Sequence, residues 1–397
     1  MNERPLAAGF RAWLRPPRGD NEAMEDRTVS FLELFYDLVY VVLIARIAHT
    51  LAGEVSWTGL RDFVLVFTLI WIAWINGTLY HELHGGEDGR SRGYIFVQMA
   101  LLVVLSVFTD HATTDTGDGR GFSIVYTLLL VLLGWQWSDA RRQDTPEIRR
   151  LDTNYILGVG VVAAVVAASV FVNSNDARLI LWLIAAVVNF TGAMVQGPRF
   201  GDALRVTESM AERFGLFTII VLGEVVVGVA EGLTEAGSSA LAVVTGLLAL
   251  GIGFGLWWNY FDFVGRRVPR PGIAPRTIWL YGHFPLTMSI AVAGASMVSL
   301  IEHAADAQTP NSTAWLVSGS VAATSVSLAA VTMTTAAHPG RRLVPYALLG
   351  AAVVSLVLVL LRPAPWVLAL GLCLALLGVW VEAFIRHARH GLPIAET

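Results

Sequence analysis

Residues 30–51 read SFLELFYDLVYVVLIARIAHTL, and the fold turns on how they are read. About 20 apolar residues at 1.5 Å per residue cross the hydrocarbon core of a bilayer, so the stretch is long enough to span a membrane. It also carries Glu33, Asp37, Arg46 and His49. A charge near the centre of a membrane helix costs at least about 2.5–3.5 kcal/mol, so such residues face protein or water and are candidates for function. The stretch is therefore a spanning helix with chemistry on it.

Composition extends this reading to the whole chain. Its 397 residues are 55% hydrophobic and 15% charged, with mean hydropathy +0.61, which is too apolar for an ordinary soluble domain. All 27 basic residues are Arg, against 31 acidic ones. Without Lys there is no P-loop lysine and no Schiff base to retinal or pyridoxal phosphate, which argues against ATP-driven pumping by this chain and against those cofactors. The single cysteine, Cys373, excludes an intrachain disulfide and a Cys-cluster metal site and reads as packing. No h-region precedes residue 30, so the first spanning helix is expected to target the chain.

Apolar runs predict an all-α polytopic membrane protein of about twelve helices, over 30–51, 59–82, 93–110, 121–138, 151–172, 178–197, 210–231, 239–262, 277–301, 313–336, 343–361 and 365–386. Arg362, Pro363, Ala364 and Pro365 separate the last two, a tight turn rather than one long helix. With an even helix number, 22 arginines fall on the side of the termini, three (Arg120, Arg178 and Arg362) on the other, and Arg46 and Arg61 within helices. The positive-inside rule then puts both termini in the cytoplasm. The expected organisation is a cytoplasmic Arg/Pro-rich segment (1–29), a six-helix half (30–197), a linker (198–209), a second six-helix half (210–386) and a cytoplasmic tail (387–397).

The halves echo each other. The seventh helix opens Met210-Ala-Glu212-Arg213-Phe214 and continues IIVLGEVVVGV, like the first, and Asn76 and Asn259 each follow a Trp-rich turn. Tyr94 precedes Gln98 as Tyr281 precedes His283. Six helices per half make the repeats parallel, an organisation common in secondary transporters.

Three motifs carry a family resemblance: Glu33-Leu-Phe-Tyr-Asp37-Leu-Val-Tyr-Val-Val, Glu212-Arg-Phe-Gly-Leu-Phe-Thr-Ile-Ile-Val-Leu-Gly-Glu224 and Trp258-Asn-Tyr-Phe-Asp262. Together they resemble the bacterial low temperature requirement protein A family across roughly the first nine helices. The family usually shows Phe where this chain has Tyr36 and Tyr40. The resemblance implies a multi-pass plasma-membrane protein linked by name to growth in the cold, and it brings no settled substrate.

Helical rise sorts the polar residues by depth. From Ser30, Glu33 lies about 5 Å in, Asp37 about 11 Å and Arg46 about 24 Å, while Glu224 lies about 21 Å from Met210. An inner level gathers Glu33, Asp37, Asn76, Gln98, Asn259, Asp262 and His283 as candidates for binding a solute, an ion or a proton. Glu33 either shares this site with Asp37, four residues on, or caps the first turn of its helix. An outer level holds Arg46 and Glu224, expected to pair as a structural lock or a gate.

Other features read as ordinary. The loop with Asp110, His111, Asp115 and Asp118 reads as a solvated acidic loop ahead of a weak surface metal site, and Trp71, Trp74, Trp257 and Trp258 are interfacial or packing residues. His81-Glu82-Leu83-His84 misses zinc-protease spacing by one residue and shows no third ligand, so no metal site is expected. His49 and His303 are surface histidines, and Ser318-Gly-Ser320 is small-residue helix packing rather than a protease site. No nucleophile with its base stands out, so no enzyme activity or cofactor is expected. The expected function is secondary transport of a small solute or ion, with membrane lipid as surroundings and no nucleic acid. The competing reading is a non-transporting, lipid-interacting or envelope cold-adaptation protein.

Overall fold

The computed structural model describes residues 29–86, 88–196, 205–237, 239–336 and 343–389. Residues 1–28 of the Arg/Pro-rich segment, 198–204 of the linker and 390–397 of the tail lie outside the described residues. Among those described, twelve helices make up the regular structure: α1 (Phe31–Gly53), α2 (Trp57–His84), α3 (Gly89–Val107), α4 (Thr116–Ala140), α5 (Pro146–Ser169), α6 (Asn175–Gln196), α7 (Glu208–Ala236), α8 (Ala240–Phe263), α9 (Ile273–Glu302), α10 (Asn311–Thr332), α11 (Val344–Leu361) and α12 (Pro365–Arg389). Helices α2 to α12 contain stretches long and apolar enough to cross a membrane. Helix α1, at 23 residues, has the length as well and bears the charges quoted above.

Hydropathy placed the helices, but polar caps set where several begin. Helix α3 starts at Gly89, four residues before its apolar run, because Asp88 accepts from the amides of Arg90 (2.7 Å) and Ser91 (2.9 Å). Asp115 accepts from the Asp118 amide at 2.9 Å and opens α4 five residues early. These amide hydrogen bonds hold the Asp115 carboxyl below its ordinary pKa. Thr207 and Ser239 cap α7 and α8 in the same way, and α5 opens on Pro146, whose missing N–H costs nothing in a first turn. Arg362, with φ +43°, ends α11 in a left-handed residue, so the chain turns before Pro365. The Thr309 amide (3.0 Å) and hydroxyl (2.6 Å) both donate to the Pro363 carbonyl and tie that turn to the α9–α10 loop.

The chain divides into two compact units. The first comprises Met1–Arg46 and Leu65–Arg205, and the second Ile47–Val64 and Val206–Thr397.

In the first unit α3, α4, α5 and α6 each pack on the next. Buried polar groups pin these contacts. The Ser123 and Ser169 hydroxyls lie 2.8 Å apart, and the Trp182 indole N–H is 3.1 Å from each. Arg178, counted with the outer loop by hydropathy, is a buried residue in the first turn of α6. Its guanidinium donates to the Val172 carbonyl, just beyond the end of α5, and to Asn175, each at 2.8 Å.

In the second unit α9 packs against α7 and α10, and α12 packs against α8 and α11. The α7–α9 crossing is backbone on backbone. A Cβ on Gly294 would stand 2.7 Å from the Glu224 carbonyl carbon, and one on Gly228 would overlap the Gly294 carbonyl oxygen. Gly228 and Gly232 form the small-xxx-small pattern that lets membrane helices approach this closely.

Candidate functional site

Asp37 is the most deeply buried of the acids singled out by sequence. It sits in the second turn of α1 with 0% of its surface exposed, and its Oδ1 accepts from the Trp74 indole N–H at 3.0 Å. A buried carboxyl is tolerated only where hydrogen bonds replace its water, and Trp74 on α2 supplies one. Glu33 takes the capping role. The Ser30 amide donates to its Oε2 at 3.0 Å and the Glu33 amide donates to Ser30 Oγ at 3.3 Å, a reciprocal box that closes the start of α1. Its side chain is nevertheless buried, one turn from Asp37.

Tyr36 and Tyr40, four residues apart, are on the same face of α1. Their hydroxyls are 2.9 Å apart, and both rings are buried. Gly77 makes room for the Tyr36 hydroxyl, since a Cβ there would stand 2.5 Å from it. The His81 ring meets Tyr36 edge-on at 5.8 Å. Asn76, the neighbour of Gly77, donates to the Ile72 carbonyl at 2.7 Å and accepts from the Tyr155 hydroxyl of α5. Asp37–Trp74, Tyr36–Tyr40 and Asn76–Tyr155 are thus three polar contacts within the first unit. Gln98 turns elsewhere and donates to Gln136 of α4 at 2.6 Å.

The inner-level residues of the second unit are each engaged in holding helices together. Asn259 donates to the Gly255 carbonyl (2.8 Å) and to the Leu376 carbonyl on α12 (3.1 Å). Asp262 accepts from the Trp380 indole at 3.0 Å. His283 lies 2.6 Å from the Trp279 carbonyl through Nδ1 and 3.2 Å from the Tyr260 hydroxyl through Nε2. A carbonyl only accepts, so Nδ1 carries a proton and donates to it.

Of the outer level, Arg46 forms an ion pair with Asp110 in its own unit, both side chains partly exposed. Glu224 is buried on α7, its backbone against Gly294. Sequence reasoning passed over Trp74, Gln136 and Tyr155 as partners. Nothing in the spacing of a tryptophan in an apolar helix says that its N–H meets an acid 37 positions away. Two signals were still available, namely the need of a buried Asp for a donor and the scarcity of donors in apolar helices.

Residues 28–381 match the family described as bacterial low temperature requirement A protein (LtrA). The chain belongs to this family. An uncharacterised protein of Rhizobium meliloti (strain 1021) is 25% identical over 311 residues, covering 72% of each chain. No solved structure matches the chain. LtrA membership and the succession of apolar helices make this a multi-pass integral membrane protein.

Proposed function

We propose that this LtrA protein is a secondary transporter of a small solute or ion, with Asp37 as the carboxylate that binds the cargo cation or the coupling proton. The observation that carries this reading is a fully buried acid in a long apolar helix, Asp37, held by the Trp74 indole next in sequence to a buried Tyr36–Tyr40 hydroxyl pair. Such a residue is expensive to keep in a membrane, and ion and proton pathways are where it is usually kept. Glu33 supports the site as its buried neighbour toward the helix start, and Asn76, hydrogen-bonded to Tyr155, is a further polar group on α2. The same reading places the protein in the bacterial plasma membrane with both termini in the cytoplasm, built as two parallel six-helix repeats. Its partners are membrane lipid and its solute, not nucleic acid, and its work is movement rather than catalysis.

Flux decides the matter. Purified protein in proteoliposomes under a pH gradient, screened with monovalent and divalent ions and small metabolites, should show a flux that Asp37→Asn reduces at least tenfold while its thermal unfolding stays cooperative. Absence of flux across the screen, or wild-type flux in Asp37→Asn, would favour the non-transporting membrane role instead.

A further inference from the structure

A second cluster lies apart from Asp37, at the end of the first unit where α2 stops. His84 is the last residue of α2, Asp144 lies in the turn between α4 and α5, and Asp152 is in the second turn of α5. One ligand-type atom of each lies within 4.8 Å of the other two, and the His84 Nδ1 to Asp144 Oδ1 distance is 3.8 Å. Their exposures are 3%, 2% and 0%. We propose that His84, Asp144 and Asp152 bind one first-row divalent cation, of the Zn2+ or Mn2+ kind, which fastens the end of α2 to the α4–α5 turn.

Three arguments converge on this. The first is geometry. Ligands about 2.0–2.2 Å from a common ion stand roughly 3.4 Å apart in a tetrahedral site, so atoms spaced as these are need close by at most about 1.4 Å. The second is charge. A neutral imidazole and two carboxylates carry two negative charges, which match the charge of a divalent ion. One nitrogen and two oxygen donors suit borderline and harder ions, and leave positions open for water. The third is the surrounding shell. The Trp137 ring meets His84 edge-on at 5.3 Å and Tyr80 lies 5.7 Å from it, an aromatic wall of the kind that limits solvent access to a metal site. Arg149 donates to the Asp144 carbonyl at 2.9 Å and holds the turn that presents its carboxylate. The buried Trp137 indole N–H has no acceptor among the described residues, and it suits a ligand oxygen or an ion-bound water.

The placement gives the ion a purpose. Asp152 and Tyr155 are three apart on α5, and His84 and Asn76 both belong to α2, so an ion at this end secures the two helices joined by the Asn76–Tyr155 hydrogen bond. This site stands on its own residues and does not depend on the transport reading.

The test is metal content and affinity of the full chain in detergent, with any affinity tag removed. After chelator treatment, titration with Zn2+ and with Mn2+ should restore about one ion per chain. Asp152→Asn and His84→Gln should each weaken binding at least tenfold, and added ion should raise the unfolding temperature of the wild type but not of the variants. A wild type that takes up no ion, or variants that bind like the wild type, would overturn the proposal. Should both variants fail to fold, the Mn2+-loaded wild type still decides. A spin-echo modulation from one imidazole nitrogen supports the site, and its absence rejects it.

Discussion

At the residue scale, the molecule shows how a membrane protein keeps an acid out of water. Asp37 has a defined donor, and removing it has a defined consequence: Trp74→Phe should lower stability by about 1–3 kcal/mol, the cost of leaving a buried acceptor without this bond. Trp257→Phe, at a partly exposed ring, should change it by less than about 0.5 kcal/mol. Chemical or thermal unfolding in detergent measures both. The Arg46–Asp110 pair belongs to a different class, because its partners keep access to solvent and exposed pairs are worth about 0–1 kcal/mol. Residue type and depth in the sequence were enough to single out Asp37. They were not enough to separate it from Glu33, whose capping box depends on the serine three positions earlier, or from Asp262 and His283, whose bonds go to Trp380, Trp279 and Tyr260. Depth is a one-dimensional quantity, and partners are set by which face of a helix meets which neighbour.

At the element scale, the helices were legible because each is a long apolar run, and their starts were not, because caps lie in polar sequence that hydropathy treats as loop. Asp88 and Asp115 moved two starts by four and five residues. The same limit hid His84, Asp144 and Asp152. A search for metal ligands by spacing looks along one helix, whereas these residues come from the end of one helix, a turn and the start of another. Packing makes a sharper prediction at this scale. Gly294→Ala should destabilise the α7–α9 crossing by about 1–3 kcal/mol, since the new methyl meets backbone that has nowhere to move. Gly223→Ala, on the same α7 but with nothing within 4 Å of the added carbon, should be neutral or gain up to about 1 kcal/mol from helix propensity. Equal effects of the two, read by unfolding temperature, would mean that the crossing is not tight.

At the scale of the whole molecule, orientation is the property the arginines announce. In a Cys373→Ser background, a cysteine at Arg142 should react with impermeant thiol reagents only from the cytoplasmic side, and one at Asp306 only from outside. The reverse pattern in intact cells and inverted vesicles would refute the proposed topology. The division into units carries a further consequence for how the protein is made. Residues 47–64 belong to the second unit, yet they leave the ribosome well over a hundred residues before the rest of it begins at Val206. Until then Trp57 lacks Trp315, whose ring centroid ends 6.2 Å away, and His49 lacks Glu231, 3.7 Å from it in the finished fold. The turn from α1 into α2 is therefore made early and completed late, its packing partners supplied only when α7 and α10 have been synthesised.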